Sequence, residues 1–126
     1  MLATRRVLIV EDEGSLAGLV AQAFENEGYK VATASNGIEC MNRLTAFRPD
    51  VIVMDIMMPR LDGIDTTRLI RRHGDFRETL IVALSAKQDE RTQAAMLQAG
   101  ADVFLTKPFS VRALIGTVNA HLAQQS

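Results

Sequence analysis

The chain has 126 residues, 48% of them hydrophobic and 23% charged, which is the balance of one compact domain with an ordinary apolar core. Its formal net charge of −1 argues against direct nucleic-acid binding, because phosphate recognition needs a clustered basic face. Cys40 is the only cysteine, so an intramolecular disulfide and a thiolate metal cluster are excluded. We therefore expect a single domain over residues 1–126.

The start of the chain leads directly into a strand-like run, without a charged and then apolar leader. Nowhere is an apolar run long enough to span a bilayer. The sequence therefore predicts a cytoplasmic protein with no membrane contact.

Short apolar runs alternate with segments of helical period from one end of the chain to the other. The pattern predicts strands at 6–10, 30–34, 51–54, 80–84 and 103–106, and helices at 16–24, 38–47, 64–73, 90–99 and 111–122. Breakers close the three middle helices: Pro49, Gly74 and Gly100. A short basic patch in the third helix, Arg68, Arg71 and Arg72, is interpreted as a solvated helix face.

Five strand-then-helix repeats favour an α/β fold. The predicted strands are short and mostly apolar rather than alternating, as expected when helices cover both faces of a parallel sheet. The more polar run at 30–34 is the exception and is interpreted as an edge strand. Right-handed crossovers then favour a doubly wound sheet of flavodoxin-like type, with a crevice beyond the carboxyl ends of its strands.

Polar side chains stand where four of the predicted strands end. Glu11 and Asp12 follow the first strand, Asp55 the third, Ser85 the fourth and Lys107 the fifth. Because parallel strands end at the same edge of a sheet, we expect these groups to converge in the crevice. Acids, a hydroxyl and a lysine together indicate a site for a cation and a phosphoryl group.

The three acids require compensation if they are neighbours. Each pair of carboxylates about 4 Å apart costs on the order of 4 kcal/mol at an effective dielectric constant near 20. Protonation or a divalent cation would relieve this, and hard oxygen ligands favour Mg²⁺. Alternatively, Glu11 and Asp12 only complement or cap the following helix. That interpretation does not explain why other strands supply Asp55 and Lys107.

With a metal beside it, the Asp55 carboxylate is a nucleophile toward phosphorus. Lys107 would neutralise charge on the phosphoryl oxygens and Ser85 would donate its hydroxyl to one of them. Pro59 and Gly63 fix a turn that holds the 56–63 loop over this pocket. The simpler alternatives are that Asp55 and Ser85 cap helices and that Lys107 is an exposed lysine. The sequence leaves open whether the Lys107–Pro108 peptide bond is cis or trans.

The chain resembles the receiver domain of two-component response regulators, which has the fold of the bacterial chemotaxis regulator. The resemblance covers essentially the whole chain and rests on four segments in order: VLIVEDE at 7–13, VMDIMMP at 53–59 with Asp62 and Gly63, ALSA at 83–86, and AGADVFLTKPF at 99–109. It implies a five-stranded parallel sheet of order 2-1-3-4-5 with five helices.

The resemblance also implies roles for the site residues. Asp55 is the phosphoacceptor, Asp12 a direct Mg²⁺ ligand, Glu11 an outer ligand through water, and the Met57 backbone carbonyl a third protein ligand. Lys107 is the pocket lysine. Ser85 and Phe104 form a switch pair, in which Phe104 lacks the hydroxyl of the tyrosine in many relatives; a permanently buried Phe104 is the alternative.

A phosphorylation-dependent signalling switch follows from the resemblance. The phosphodonor is a phosphohistidine of a sensor histidine kinase or a histidine phosphotransfer domain. The reporting face is built by the fourth helix, fifth strand and fifth helix, and the downstream protein target is unknown. The domain would catalyse its own phosphorylation and dephosphorylation and would turn over no external substrate. Met57, which is apolar, and Lys87 would flank the route of the water that attacks the phosphoryl group. His73 and His121 are interpreted as surface residues on helices away from the pocket.

One departure and three alternatives complete the interpretation. Ala113 and Thr117 stand where many relatives carry an acid and an arginine. This difference argues against the dimer that those relatives form through the face of the fourth helix, fifth strand and fifth helix.

A flavodoxin-type carrier needs a phosphate-cradling loop, but acids occupy 11–13. A haloacid-dehalogenase-like phosphohydrolase needs an acid at Met57. A receiver-fold module that no longer takes phosphate is the third alternative.

Overall fold

A computed structural model describes residues 4–56, 62–85 and 90–124, and these form five strand–helix units. The strands are β1 (Arg6–Val10), β2 (Lys30–Ala34), β3 (Val51–Asp55), β4 (Leu80–Ser85) and β5 (Val103–Thr106). The helices are α1 (Gly14–Asn26), α2 (Gly37–Phe47), α3 (Gly63–Arg72), α4 (Glu90–Ala99) and α5 (Val111–Gln124), with one turn of 3₁₀ helix (Gly74–Phe76) after α3. The five predicted strands and five predicted helices are confirmed, whereas the 3₁₀ turn was not predicted.

The strands form one parallel sheet in the order β2-β1-β3-β4-β5, which confirms the predicted fold class. β2 lies at one edge, as its more polar sequence indicated. In the register of the sheet Asp55 pairs with Leu84, and Ser85 pairs with Thr106. The last residues of β3, β4 and β5 therefore lie side by side at the carboxyl edge.

Two apolar layers cover the sheet, one on each face. Leu8, Ile52 and Ile81 point toward the layer that contains α2, α3 and α4. Val7 and Val53 point toward the layer that contains α1 and α5. Because successive side chains of a strand alternate between faces, central strands covered on both sides have to be apolar at nearly every position. This double burial explains the unbroken apolar runs of β1, β3 and β4.

Arg71 ties the amino-terminal edge of the sheet together and does not lie on a solvated helix face. Its guanidinium donates hydrogen bonds to four carbonyl oxygens and to the Asp102 carboxylate, at 2.8–3.2 Å; the carbonyls belong to Phe76, Arg77, Thr79 and Gly100. Only 18% of its side chain is exposed. The interpretation of Arg68, Arg71 and Arg72 as a solvated patch is therefore wrong for Arg71.

None of the helices in the described ranges combines the length and the apolar character that crossing a membrane requires. The longest of them, α5, has 14 residues.

Candidate functional site

The carboxyl edge of the sheet brings three carboxylates together. Glu11 follows β1 directly and Asp55 is the last residue of β3; both are buried, with 5% and 4% of their surface exposed. Asp12, the next residue after Glu11, is exposed. One oxygen from each of the three lies within 4.8 Å of the others. Three hard oxygen donors at this separation suit a divalent cation such as Mg²⁺.

Lys107, immediately after β5, bridges the two buried acids. Its Nζ donates to Glu11 Oε1 at 3.2 Å and to Asp55 Oδ2 at 3.1 Å, and 24% of its side chain is exposed. Its backbone N–H donates to the Ser85 carbonyl, and the Lys107–Pro108 peptide bond is cis. The alternative of a merely exposed lysine is therefore wrong.

Burial and mutual repulsion set the protonation of this cluster. Desolvation is the main cause that raises the pKa of Glu11 from 4.5 to about 7, and a hydrogen bond and charge repulsion from Asp55 add to it. Desolvation alone would lower the pKa of Lys107, but the hydrogen bonds and charges of Asp55 and Glu11 outweigh it and raise this pKa. Near neutral pH the lysine is therefore charged, and Glu11 takes up a proton at a higher pH than an ordinary glutamate does.

Helix capping accounts for little of this cluster. Glu13 is the N-cap of α1, and its side chain makes no capping hydrogen bond. The Glu13 N–H instead donates to Glu11 Oε2 at 3.2 Å. Among the described helices, the next one after Asp55 is α3, and its cap is Asp62, whose Oδ1 accepts from the Asp65 N–H at 2.9 Å. The alternative that Asp55 caps this helix is therefore wrong.

Ser85 and Phe104 lie on the same face of the sheet. Ser85 pairs with Thr106, and Phe104 pairs with Ala83. Ser85 is two residues after Ala83 on β4, so its side chain lies on the same face as those of Ala83 and Phe104. Ser85 is 1% exposed, whereas Phe104 is only half-buried and packs against the core layer of α3 and α4. Phe104 is therefore not a fully buried core residue.

Two further predictions meet the structure differently. Met57, Pro59 and Lys87 lie outside the described residues, so the roles given to them stay predictions. The interpretation of both histidines as helical surface residues needs correction, because His73 follows the end of α3 and its Nδ1 is buried without a hydrogen-bond partner among the described residues. His121 lies on α5 and is half-buried.

The sequence reveals the polar site residues but understates Gly63. It marks Gly63 as a turn residue, whereas the structure places the glycine in direct contact with the backbone that bears Asp55. A glycine at the first position of a helix, shortly after a strand-end aspartate, is the only signal of this contact in the sequence.

Comparison with known proteins agrees with this geometry. A family model described as the response regulator receiver domain matches residues 7–119. The chain belongs to the response regulator receiver family. It is thus a receiver domain of two-component signalling, which leaves the flavodoxin-type and haloacid-dehalogenase-like alternatives without support.

Curated relatives of this receiver domain include response regulators. Response regulator MprA of Mycobacterium sp. (strain KMS) is 36% identical over 121 residues, which cover 96% of this chain and 52% of that protein. MprA of Mycobacterium tuberculosis (strain ATCC 25177 / H37Ra) is 36% identical over 117 residues, with coverage of 93% and 50%. The chain spans about half the length of the curated relatives it matches.

Solved structures share both fold and sequence with it. The receiver domain of the Francisella response regulator 1452 superposes with a TM-score of 0.89 at 32% identity and covers 98% of this chain and 100% of its own. Chemotaxis protein CheY4 of Vibrio cholerae gives a TM-score of 0.89 at 29% identity, with coverage of 94% and 98%. A two-component response regulator from Clostridium difficile gives a TM-score of 0.92 at 21% identity, which is a likeness of fold.

Proposed function

We propose that this receiver domain is a phosphorylation-dependent signalling switch whose phosphoacceptor is Asp55. The observation that carries the proposal is that the Lys107 ammonium group donates hydrogen bonds to both Glu11 and Asp55 at the carboxyl edge of the sheet. A buried carboxylate can act as a nucleophile toward phosphorus. The neighbouring ammonium group, and a cation held by the neighbouring acids, would compensate the negative charge of the phosphoryl oxygens.

Mg²⁺ fits the donor set on chemical grounds. Glu11, Asp12 and Asp55 offer oxygen ligands, and a divalent cation bound between them would offset both the burial and the repulsion from Asp55 that raise the pKa of Glu11. The ion would neutralise charge on the phosphoryl oxygens and help to orient the group for in-line transfer. We assign Glu11, Asp12 and Asp55 to hold it, with the Met57 backbone carbonyl as a further ligand.

The transfer itself needs little from the protein besides position and charge. An Asp55 carboxylate oxygen bonds to phosphorus as the phosphorus–nitrogen bond of the donor phosphohistidine breaks, and the imidazole nitrogen keeps the electron pair. Lys107 and the Ser85 hydroxyl contact the phosphoryl oxygens. Later attack by water releases inorganic phosphate and restores the carboxylate. Apart from its phosphodonor, the domain turns over no external substrate such as a phosphate monoester.

The output of the switch is the face formed by α4, β5 and α5. Phosphorylation adds roughly 1.5 to 2 negative charges next to Ser85, which shares its sheet face with half-buried Phe104. Movement of Ser85 toward the phosphoryl group makes room for Phe104 and biases this face toward its partner. We infer a cytoplasmic regulator that takes its phosphoryl group from a sensor histidine kinase or a phosphotransfer domain and acts on a downstream protein.

Intact mass measurement tests the proposal directly. The purified protein is incubated with Mg²⁺ and acetyl phosphate, beside Asp55→Asn, a chelator control and Asp75→Asn as a matched substitution at an exposed aspartate. We expect one phosphoryl adduct on the native protein and on Asp75→Asn, and none on Asp55→Asn or without metal. An adduct that persists in Asp55→Asn would contradict the assignment. No adduct from either acetyl phosphate or a phosphohistidine donor would favour an idle receiver fold.

A further inference from the structure

The start of α3 packs backbone against backbone on the end of β3. A Cβ atom added to Gly63 would lie 2.5 Å from the Asp55 carbonyl oxygen and 2.7 Å from the Ile56 Cα. Ordinary contact begins at 3.4 Å, so a side chain at this position would have to displace the Asp55 backbone or the helix by roughly 0.9 Å. Both obstructing atoms are backbone, which cannot rotate out of the way.

Backbone conformation does not require this glycine. Among the described glycines only Gly28 and Gly100 have positive φ angles, where glycine is favoured over other residues. Gly63 is the first helical residue of α3, and in helical backbone alanine is more favourable than glycine. The close approach to Asp55 is therefore the physical reason for a glycine at this position.

Hydrogen bonds hold the contact from both sides. The Gly63 N–H donates to the Ile56 carbonyl at 2.9 Å, and the Gly63 carbonyl accepts from the buried Thr67 hydroxyl at 2.7 Å. On the other side, the Ile56 N–H donates to the Leu84 carbonyl of β4 at 3.0 Å. The backbone that carries the Asp55 carboxylate is thus fixed between β4 and the first turn of α3.

We propose that Gly63 is a positioning residue, whose missing side chain sets where the Asp55 carboxylate stands relative to Glu11, Asp12 and Lys107. The proposal rests on the function proposed above. A misplacement of about 1 Å at a reacting group costs on the order of 100-fold in rate, so even partial displacement at Asp55 should be measurable. The same displacement loosens the carboxylate cluster that would hold the cation.

The test needs a protein that stays folded. Gly18 in α1 and Gly116 in α5 are exposed, and a Cβ at either meets nothing within 4 Å, so alanine there should raise the melting temperature by several degrees. In this stabilised Gly18→Ala/Gly116→Ala background we would add Gly63→Ala. Val20→Ala, a cavity in the buried face of α1 and outside the α4–β5–α5 face, serves as a separate destabilised control.

Two quantities are measured for each variant at a temperature well below its melting temperature. They are the Mg²⁺ dissociation constant by calorimetry and the rate of adduct formation from acetyl phosphate by intact mass. We expect Gly63→Ala to weaken Mg²⁺ binding and to slow adduct formation at least tenfold. Val20→Ala should change both less than twofold. Values within twofold of the background for Gly63→Ala would overturn the proposal, as would an equal loss in Val20→Ala. A background protein that forms no adduct from acetyl phosphate or from a phosphohistidine donor would refute the proposed function, and Mg²⁺ affinity alone would then decide the role of Gly63.

Discussion

Binding of Mg²⁺ should release a proton from Glu11, and the amount released should follow the raised pKa of this residue. A pKa of about 7 leaves Glu11 about half protonated at pH 7, about nine-tenths protonated at pH 6 and about one-tenth at pH 8. Because the cation binds the ionised cluster, Mg²⁺ affinity should fall about tenfold from pH 8 to pH 6. An unperturbed glutamate would be ionised throughout and give no such dependence.

Calorimetry in buffers of different ionisation enthalpy counts the released protons directly. We expect about 0.5 proton per Mg²⁺ at pH 7, rising toward 1 at lower pH. Glu11→Gln removes the titrating group and should bind Mg²⁺ more weakly but with an affinity that stays flat between pH 6 and 8. Release near zero in the native protein, or an unchanged slope in Glu11→Gln, would refute the protonation scheme.

Stability without metal gives an independent measure of the same group. The pKa of Glu11 is higher in the folded protein than its ordinary value of 4.5, so the folded state holds the extra proton between pH 4.5 and 7. This contribution is fully present below pH 4.5 and is lost as pH rises through about 7, by about 3 kcal/mol in total. Denaturant unfolding with a chelator should show the loss relative to Glu11→Gln, and Mg²⁺ should reverse it.

Three further predictions concern other residues. Lys107→Met should slow adduct formation from acetyl phosphate on the order of 100-fold, because the cation beside Asp55 is lost; an unchanged rate would contradict its role. Arg71→Ala should lower the unfolding free energy in urea by about 3 kcal/mol, because four carbonyls and a carboxylate lose their donor, while Mg²⁺ affinity at the opposite edge stays within twofold. Met57→Asn should shorten the lifetime of the phosphorylated protein, because apolar Met57 offers the attacking water no hydrogen bond; an equal lifetime would contradict this role of Met57.

Much of the fold was predictable because strands that are buried on both faces have apolar residues at nearly every position. Apart from Arg6 and the site residues Asp55 and Ser85, β1, β3 and β4 are apolar, so the ends of these strands are visible in the sequence and place Glu11, Asp55 and Ser85 at one edge. The parallel direction of the strands then made convergence of these residues a matter of topology rather than of detailed geometry.

Arg71 and Gly63 show where such prediction stops. The helical position of Arg71 beside Arg72 indicates solvent, but its partners are backbone carbonyls, which have no sequence signature, and Asp102 lies 31 residues away. Gly63 is similar, because its neighbours are the backbone atoms of Asp55 and Ile56. Patterns of side-chain type locate faces and strand ends, whereas contacts made to the backbone depend on how closely two elements approach. In this domain such contacts fix both edges of the sheet, since Arg71 holds the amino-terminal edge and Gly63 packs against the edge that carries the site.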